Sequence, residues 1–307
     1  MKIHFAPVQG HTDAAYRHFH AGRYTPADEY YTPFIRLEHG EVRKKDINDL
    51  NAPIAENDRV VPQVIFKNEE ELEGLVSLLA SEGYERIDIN MGCPFPLQTA
   101  RGRGAATAGS REAAEAVSRV VGRYPDIRFS VKMRLGMENA DEWRETLPIL
   151  NKLPLEHIAM HPRVAKQQYK GEPDMEAFAR FYEECELPVV YNGDLRTVED
   201  VQAVEERFPN LAGIMIGRGL LARPSLTSEI AEGKQWDEER RLNEMLRFHR
   251  DLLDYYRSTL CGDHQVLSKI APFWEYAESE IGRKPWKAIQ KAVNYAKYTT
   301  AVASIGK

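Results

Sequence analysis

Eight short runs of β-branched and apolar residues alternate with longer amphipathic stretches over the first three quarters of the chain. This alternation restricts the possible folds more than any other feature. The strand-like runs cover residues 2–8, 29–35, 60–66, 86–91, 129–134, 157–163, 188–193 and 212–219. Helix-like segments such as 69–81, 110–123, 174–184 and 197–206 lie between them, and strand starts fall 24 to 43 residues apart. Parallel neighbours need a crossover of about a dozen residues or more, so the spacing predicts parallel strands joined by helices. Eight such units point to an α/β fold of the (β/α)₈ TIM-barrel type, which typically takes about 250 residues. An open doubly wound sheet is the competing arrangement. It often has a Gly-rich turn after its first strand, whereas the first turn here reads VQGHTD.

The pattern changes at residue 229. Residues 1–228 are expected to form the barrel, and residues 229–307 a small C-terminal helical domain. Segments 238–260 and 266–281 carry apolar residues at helical spacing, among them Leu242, Met245, Leu246, Leu252 and Leu253. After Glu280 the tail holds Arg283, Lys284, Lys287, Lys291, Lys297 and Lys307 and no acid. Lys284, Lys287 and Lys291 fall at i, i+3 and i+7, on one helix face, with Tyr295 and Tyr298 following on the same segment. A solvated surface helix is the plain interpretation of such a run, and a polyanion-binding face is the functional one.

Composition excludes several classes. The 307 residues include 41 basic and 47 acidic side chains, a net charge of −6, which argues against general polyanion binding but leaves room for a local basic patch. Cys93, Cys185 and Cys261 have no C-x-x-C spacing and are odd in number, so free thiols are expected rather than a disulfide framework, and no metal site is inferred. No apolar run nears the roughly 18 residues of a membrane span, and MKIHFAPVQG lacks a signal-peptide core. A cytoplasmic protein without membrane attachment is expected.

Active sites of such barrels sit at the C-terminal ends of the strands, and unusual polar residues collect there. The third strand holds Gln63, the fourth ends in NMGCP (90–94), the fifth in KMR (132–134), the sixth in HPR (161–163), the seventh in NGD (192–194) and the eighth in GRG (217–219). Taken one at a time these read as a buried amide, a small hydrophobe, a salt-bridge partner and a core histidine; six consecutive strand ends of this kind point to a site. Loops after the last two strands frequently form a phosphate site, for which NGD and GRG supply glycines and Arg218 a guanidinium. A phosphorylated cofactor or substrate follows.

APVQGHTD, PQ at Pro62 and Gln63, INMGCP, RGRGAA (101–106), VKMRLG, HPR with QQYKG, YNGD and MIGRGLL, in that order over residues 5 to about 224, resemble the tRNA-dihydrouridine synthase family. The resemblance implies an FMN-dependent barrel, NADPH as reductant, and a helical tRNA-binding domain, with tRNA as partner and no obligate protein partner. By position, Ala6, Pro7, Gln63, Lys132, His161, Asn192, Gly193, Asp194, Gly217 and Arg218 would bind FMN. Cys93 would donate a proton to the target base, with Asn90, Tyr169, Arg134 and Arg163 on the substrate side. Arg283, Lys284, Lys287 and Lys291 would meet the tRNA backbone. The chain has Pro162 where a glycine is usual in the family.

Reducing the uracil double bond requires a hydride at carbon 6 and a proton at carbon 5 from different donors. A free thiol, with an ordinary pKa of about 8.5, is protonated at neutral pH and able to give that proton up. An acid catalyst must avoid the cationic surroundings that a nucleophilic cysteine needs, so Lys132 and His161 are expected to face the flavin rather than Cys93. The rival readings are a flavoenzyme acting on a free pyrimidine, which would not need the basic tail, a barrel that only binds RNA, and a flavin-free phosphosugar enzyme.

Overall fold

The computed structural model describes residues 1–52 and 59–307. Its strands are β1 (Lys2–Phe5), β2 (Glu29–Tyr31), β3 (Leu37–Glu38), β4 (Glu41–Val42), β5 (Val60–Val61), β6 (Gln63–Ile65), β7 (Arg86–Met91), β8 (Arg128–Gly136), β9 (Leu155–Val164), β10 (Val189–Tyr191) and β11 (Gly213–Ile216). Nine of them form one all-parallel sheet in the order β5-β2-β1-β11-β10-β9-β8-β7-β6.

β5 and β6 are two halves of the third predicted strand, separated by Pro62, which has no N–H to give to a ladder. β5 pairs with β2 and β6 with β7, and Ile35 bridges to Val64, so this run closes the ring as an eight-stranded barrel. The second predicted strand stops at Tyr31 before Pro33, and the eighth stops at Ile216, because Arg218 and Gly219 already belong to the helix Arg218–Ala222. β3 and β4 form a small antiparallel hairpin that the sequence pattern did not announce. β9 runs through Pro162, where the register against β8 shifts between Arg134 and Gly136. A slipped ladder is a position where a missing N–H costs little.

Side chains alternate across the barrel wall. Phe129, Val131, Met133, Ile158 and Met160 pack outward against the helices, while Ala6, Tyr31, Val61, Ala159, Val190 and Met215 form a separate inner cluster. The same two-residue period sends Asp88 and Asn90, Ser130, Lys132 and Arg134, and His157 and His161 inward. At the N-terminal end of the barrel His4, Glu29, Tyr31 and His157 converge. The Tyr31 hydroxyl donates to Glu29 Oε2 at 2.6 Å and lies 3.2 Å from His157 Nε2, and Arg86 pairs with Glu29.

The crossover helices start where their caps predict. Asn68 accepts the Glu71 N–H before Glu69–Ser81, Ser110 that of Ala113, Asp174 that of Ala177, and Thr197 that of Asp200. The remaining chain is helical. The helix Leu226–Glu232 runs across residue 228 and is capped by Gly233 at φ +65°. Its buried Glu229 pairs with Arg223. The long helix Glu238–Thr259 lies against Ala14–Arg23, with Arg23 bound to Glu244 and Asp251, and the Tyr256 hydroxyl donating to Asp13 at 2.9 Å. Residues 266–281 are not one helix: Gly262–Ile270 gives way at Pro272 to a 3₁₀ turn, Ala271–Trp274, and then to Glu278–Ile281. Tyr298, on a separate helix Tyr295–Val302, is buried against His249 and Trp274. Among the described residues no helix is long and apolar enough to cross a membrane.

Candidate active site

At the C-terminal ends of the strands lies a cavity of about 340 Å³. Its wall includes fourteen of the predicted barrel-site residues: Ala6, Pro7, Gln63, Asn90, Cys93, Lys132, Arg134, His161, Tyr169, Asn192, Gly193, Asp194, Gly217 and Arg218.

Arg163 is the exception. It is fully buried behind the wall, where its guanidinium donates to Asp194 Oδ2 at 2.6 Å and to the Gly171 carbonyl at 2.6 Å. Its inward position follows from the strand period, but its partners keep it from the cavity; it fixes Asp194 and the loop that carries Tyr169. Arg218 takes the other carboxylate oxygen at 2.5 Å. Burial pushes the Asp194 carboxyl up, yet the Arg163 hydrogen bond and the two guanidinium charges hold it below the ordinary carboxylate range.

The floor is a chain of buried hydrogen bonds. Ser130 Oγ donates to Asp88 Oδ1 at 2.6 Å, Gln63 Nε2 to Asp88 Oδ2 at 2.6 Å, and Asn90 Nδ2 to Gln63 Oε1 at 2.7 Å. Asn90 Oδ1 then accepts the N–H groups of Gly92 and Cys93. Burial raises the Asp88 carboxyl to about 6 against the pull of its two hydrogen bonds.

Lys132 stands above this network. Among the described residues no hydrogen bond or ion pair ends on its ammonium, and burial together with Arg134 pushes it down to about 8. Burial and the charges of Arg134, Lys132 and Arg163 keep His161 well below the usual histidine range, so its ring is neutral at physiological pH. The Tyr169 ring is half-exposed, with the Arg218 guanidinium 4.0 Å and that of Arg134 5.2 Å from its centroid.

Burial raises the Cys93 thiol above its ordinary value; a hydrogen bond to the Phe95 backbone and the charges of Lys132 and Arg134 offset this only in part. Cys93 is therefore not clear of cations as the sequence led us to expect, but burial outweighs them and the sulfur stays protonated at neutral pH, the state an acid needs.

An unpartnered cation beside a neutral imidazole, inside a largely apolar cavity, suits an electron-rich planar cofactor, so the residues present fit a flavin. The glycines have a second reason to be glycines. A Cβ on Gly193 would fall 1.9 Å from the Tyr191 hydroxyl oxygen, and one on Gly219 would fall 1.9 Å from the Leu195 carbonyl oxygen. Sequence reasoning missed Gln9, His11, Glu275 and Tyr276, which also line the cavity. His11 lies in the quoted first turn, whereas Glu275 and Tyr276 arrive from the tail with no local signal. His11 Nε2 lies 3.0 Å from Glu275 Oε2.

A closed parallel barrel with its cavity at the C-terminal rim, walled by a protonated thiol and a cluster of cations, is the architecture of an enzyme. The chain belongs to the dihydrouridine synthase family: the family model described as Dihydrouridine synthase (Dus) matches residues 4–303. It is 28% identical to the probable tRNA-dihydrouridine synthase 2 of Bacillus subtilis, over 82% of this chain and 78% of that one. It is 27% identical to the tRNA-dihydrouridine(16) synthase of Pseudomonas putida, over 92% and 83%. Among solved structures, the histamine dehydrogenase from Rhizobium sp. 4-9 superposes with a TM-score of 0.55 at 15% identity, covering 82% of this chain and 48% of that one, a likeness of fold.

Proposed function

We propose that this chain reduces a uridine of tRNA to 5,6-dihydrouridine, with FMN held in the barrel and NADPH as the reductant. FMN, when bound, supplies the hydride for carbon 6 of the base. Lys132, His161, Gln63, Ala6, Pro7 and Asn192 would hold its ring and ribityl portions, and Gly193, Asp194, Gly217 and Arg218 its phosphate end. Lys132 offers the ring a hydrogen bond and a positive charge that a buried ammonium with no other partner can give at little cost.

The Cys93 thiol gives its proton from Sγ to carbon 5, leaving a thiolate that solvent reprotonates. Asn90 keeps the Cys93 backbone at the strand end, and Tyr169, steadied between Arg134 and Arg218, closes the substrate side. Residues 229–307 serve as the tRNA-binding part, through Arg283, Lys284, Lys287 and Lys291, all exposed. Arg283, Lys284 and Lys287 lie on the helix Arg283–Gln290, and Lys291 is its C-cap.

The observation that carries the reading is Cys93 in the wall of the same cavity as Lys132 and His161, its thiol kept protonated by burial against the opposing charges of Lys132 and Arg134. The test is to map dihydrouridine in total tRNA from cells with and without the gene, alongside the visible absorbance of the purified protein. One lost dihydrouridine position and a flavin spectrum are expected. An unchanged tRNA profile would reject the activity, and a colourless protein that FMN does not reconstitute would reject the cofactor.

A further inference from the structure

Five large apolar side chains stand exposed among the described residues, and two of them, Phe95 and Tyr169, line the cavity. Phe95 is 59% exposed, and Leu97, 74% exposed, follows two residues after it. Single exposed hydrophobes are ordinary on a protein surface, but two on one short segment, one of them lining a site, are not.

The segment that carries Phe95 and Leu97 is held stiffly. Pro94 and Pro96 fix the backbone on both sides of Phe95. The Phe95 carbonyl accepts the N–H groups of Gln98 at 2.8 Å and Thr99 at 3.0 Å, and the Gln98 carbonyl accepts those of Arg101 and Arg103 at 3.0 and 3.1 Å. Gln98 is itself buried, and Cys93 at the head of the segment is tied to Asn90 and to the Ala105 N–H. The two apolar side chains are therefore presented to solvent on a rigid base, so ordering them on binding costs little entropy.

We propose that Phe95 and Leu97 form a wedge that enters the base stack of the RNA, filling the gap left when the target uridine is drawn out to Cys93. This rests on the reading of the chain as an enzyme acting on a uridine within folded RNA. A base inside a stack cannot reach an enclosed thiol, so it must be extruded. Apolar side chains inserted between base steps are a general device for holding a stack open, and every base offers a face to stack on. The wedge is continuous with the cavity that receives the base, two and four residues beyond the acid. Arg101, exposed four residues after Leu97, and Arg218 at the mouth give the surroundings the charge a phosphate backbone complements.

The test uses the reduced holoenzyme without oxygen, mixed with tRNA lacking dihydrouridine, and follows flavin reoxidation, tRNA binding and flavin reduction by NADPH in Leu97→Ser, Leu97→Met and the double variant Phe95→Ser/Leu97→Ser. The wedge predicts that reoxidation by tRNA slows roughly tenfold in Leu97→Ser and further in the double variant, while Leu97→Met stays within about threefold of the parent. Flavin reduction by NADPH is unchanged in Leu97→Ser and Leu97→Met. A Leu97→Ser protein that tRNA reoxidises at the parental rate overturns the wedge, as does a defect confined to tRNA affinity; a protein partner for the patch would give the first result. A parent enzyme that tRNA does not reoxidise overturns the functional reading itself, and is recognised because parent and variants then behave alike.

Discussion

Asn90 Oδ1 accepts the Cys93 backbone N–H at 2.9 Å while its own amide nitrogen donates to Gln63 Oε1 at 2.7 Å, so the thiol's position is coupled to the barrel interior. Asn90→Ala would strand the buried Gln63 oxygen and two loop N–H groups. A loss of about 1–3 kcal/mol in stability is expected for such orphaned groups. Dihydrouridine yield should fall more than flavin content, because the loop that aims Cys93 loosens first. Urea unfolding and the flavin-to-protein absorbance ratio check the two parts separately.

Cys93→Ala removes the proposed acid and nothing that holds a cofactor. Flavin binding and NADPH oxidation should persist, and dihydrouridine formation should drop by a factor of about 10² or more, the range for a lost general acid. Mass spectrometry of tRNA after incubation with the variant is the measurement, and full product formation would end the assignment.

The inward polar positions were legible because strand period and strand order are both local patterns: Lys132 and Arg134, or Asn90 two residues after Asp88, declare their side of the wall. Arg163 has the same period and a different fate, since its partner Asp194 sits on the next strand end and turns the guanidinium away from the cavity. Glu275 and Tyr276 were illegible for a similar reason. They reach the cavity only because the tail docks on Ala14–Arg23, through Tyr256 and Lys269 on Asp13, and no nearby residue encodes that contact. In the tail, Pro272 broke what helical spacing alone read as continuous.

Gly104 offers a sharper backbone test. It sits at φ +60°, and a Cβ there would lie 2.7 Å from the Cys93 carbonyl oxygen and 2.9 Å from the Cys93 Cβ. Gly104→Ala must therefore strain its own backbone, by roughly 1–2 kcal/mol, and also push the Cys93 segment. Activity should fall well beyond the change in melting temperature, and the rate constant for alkylation of Cys93 should change, read by labelling with iodoacetamide.

Lys132 gives a pH signature. Its folded value of about 8 lies below its ordinary 10.5, so between those two values the unfolded chain holds more protons. Stability of the flavin-free protein should then rise from about pH 8 to about pH 10.5, with the burial penalty at full size below pH 8. Lys132→Met should be the more stable protein at pH 7, with the difference closing as pH approaches 10, and should retain flavin less well. Parallel urea titrations of both proteins across that window show the convergence, and a constant gap would contradict it.

The exposed cations after Glu280 make the last prediction. Reversing the charge at Lys287 and Lys291 would place acid where the helix Arg283–Gln290 and its C-cap now present lysine. If these lysines touch phosphates, Lys287→Glu with Lys291→Glu should weaken tRNA binding and lower the slope of log affinity against log salt by about one unit for each phosphate no longer neutralised. Both side chains project into solvent, so folding and the flavin spectrum should not change. Filter binding at several salt concentrations gives the slope. An unaltered slope with unaltered affinity would mean that this face is solvated in the complex, and the RNA would then have to be gripped from the barrel rim.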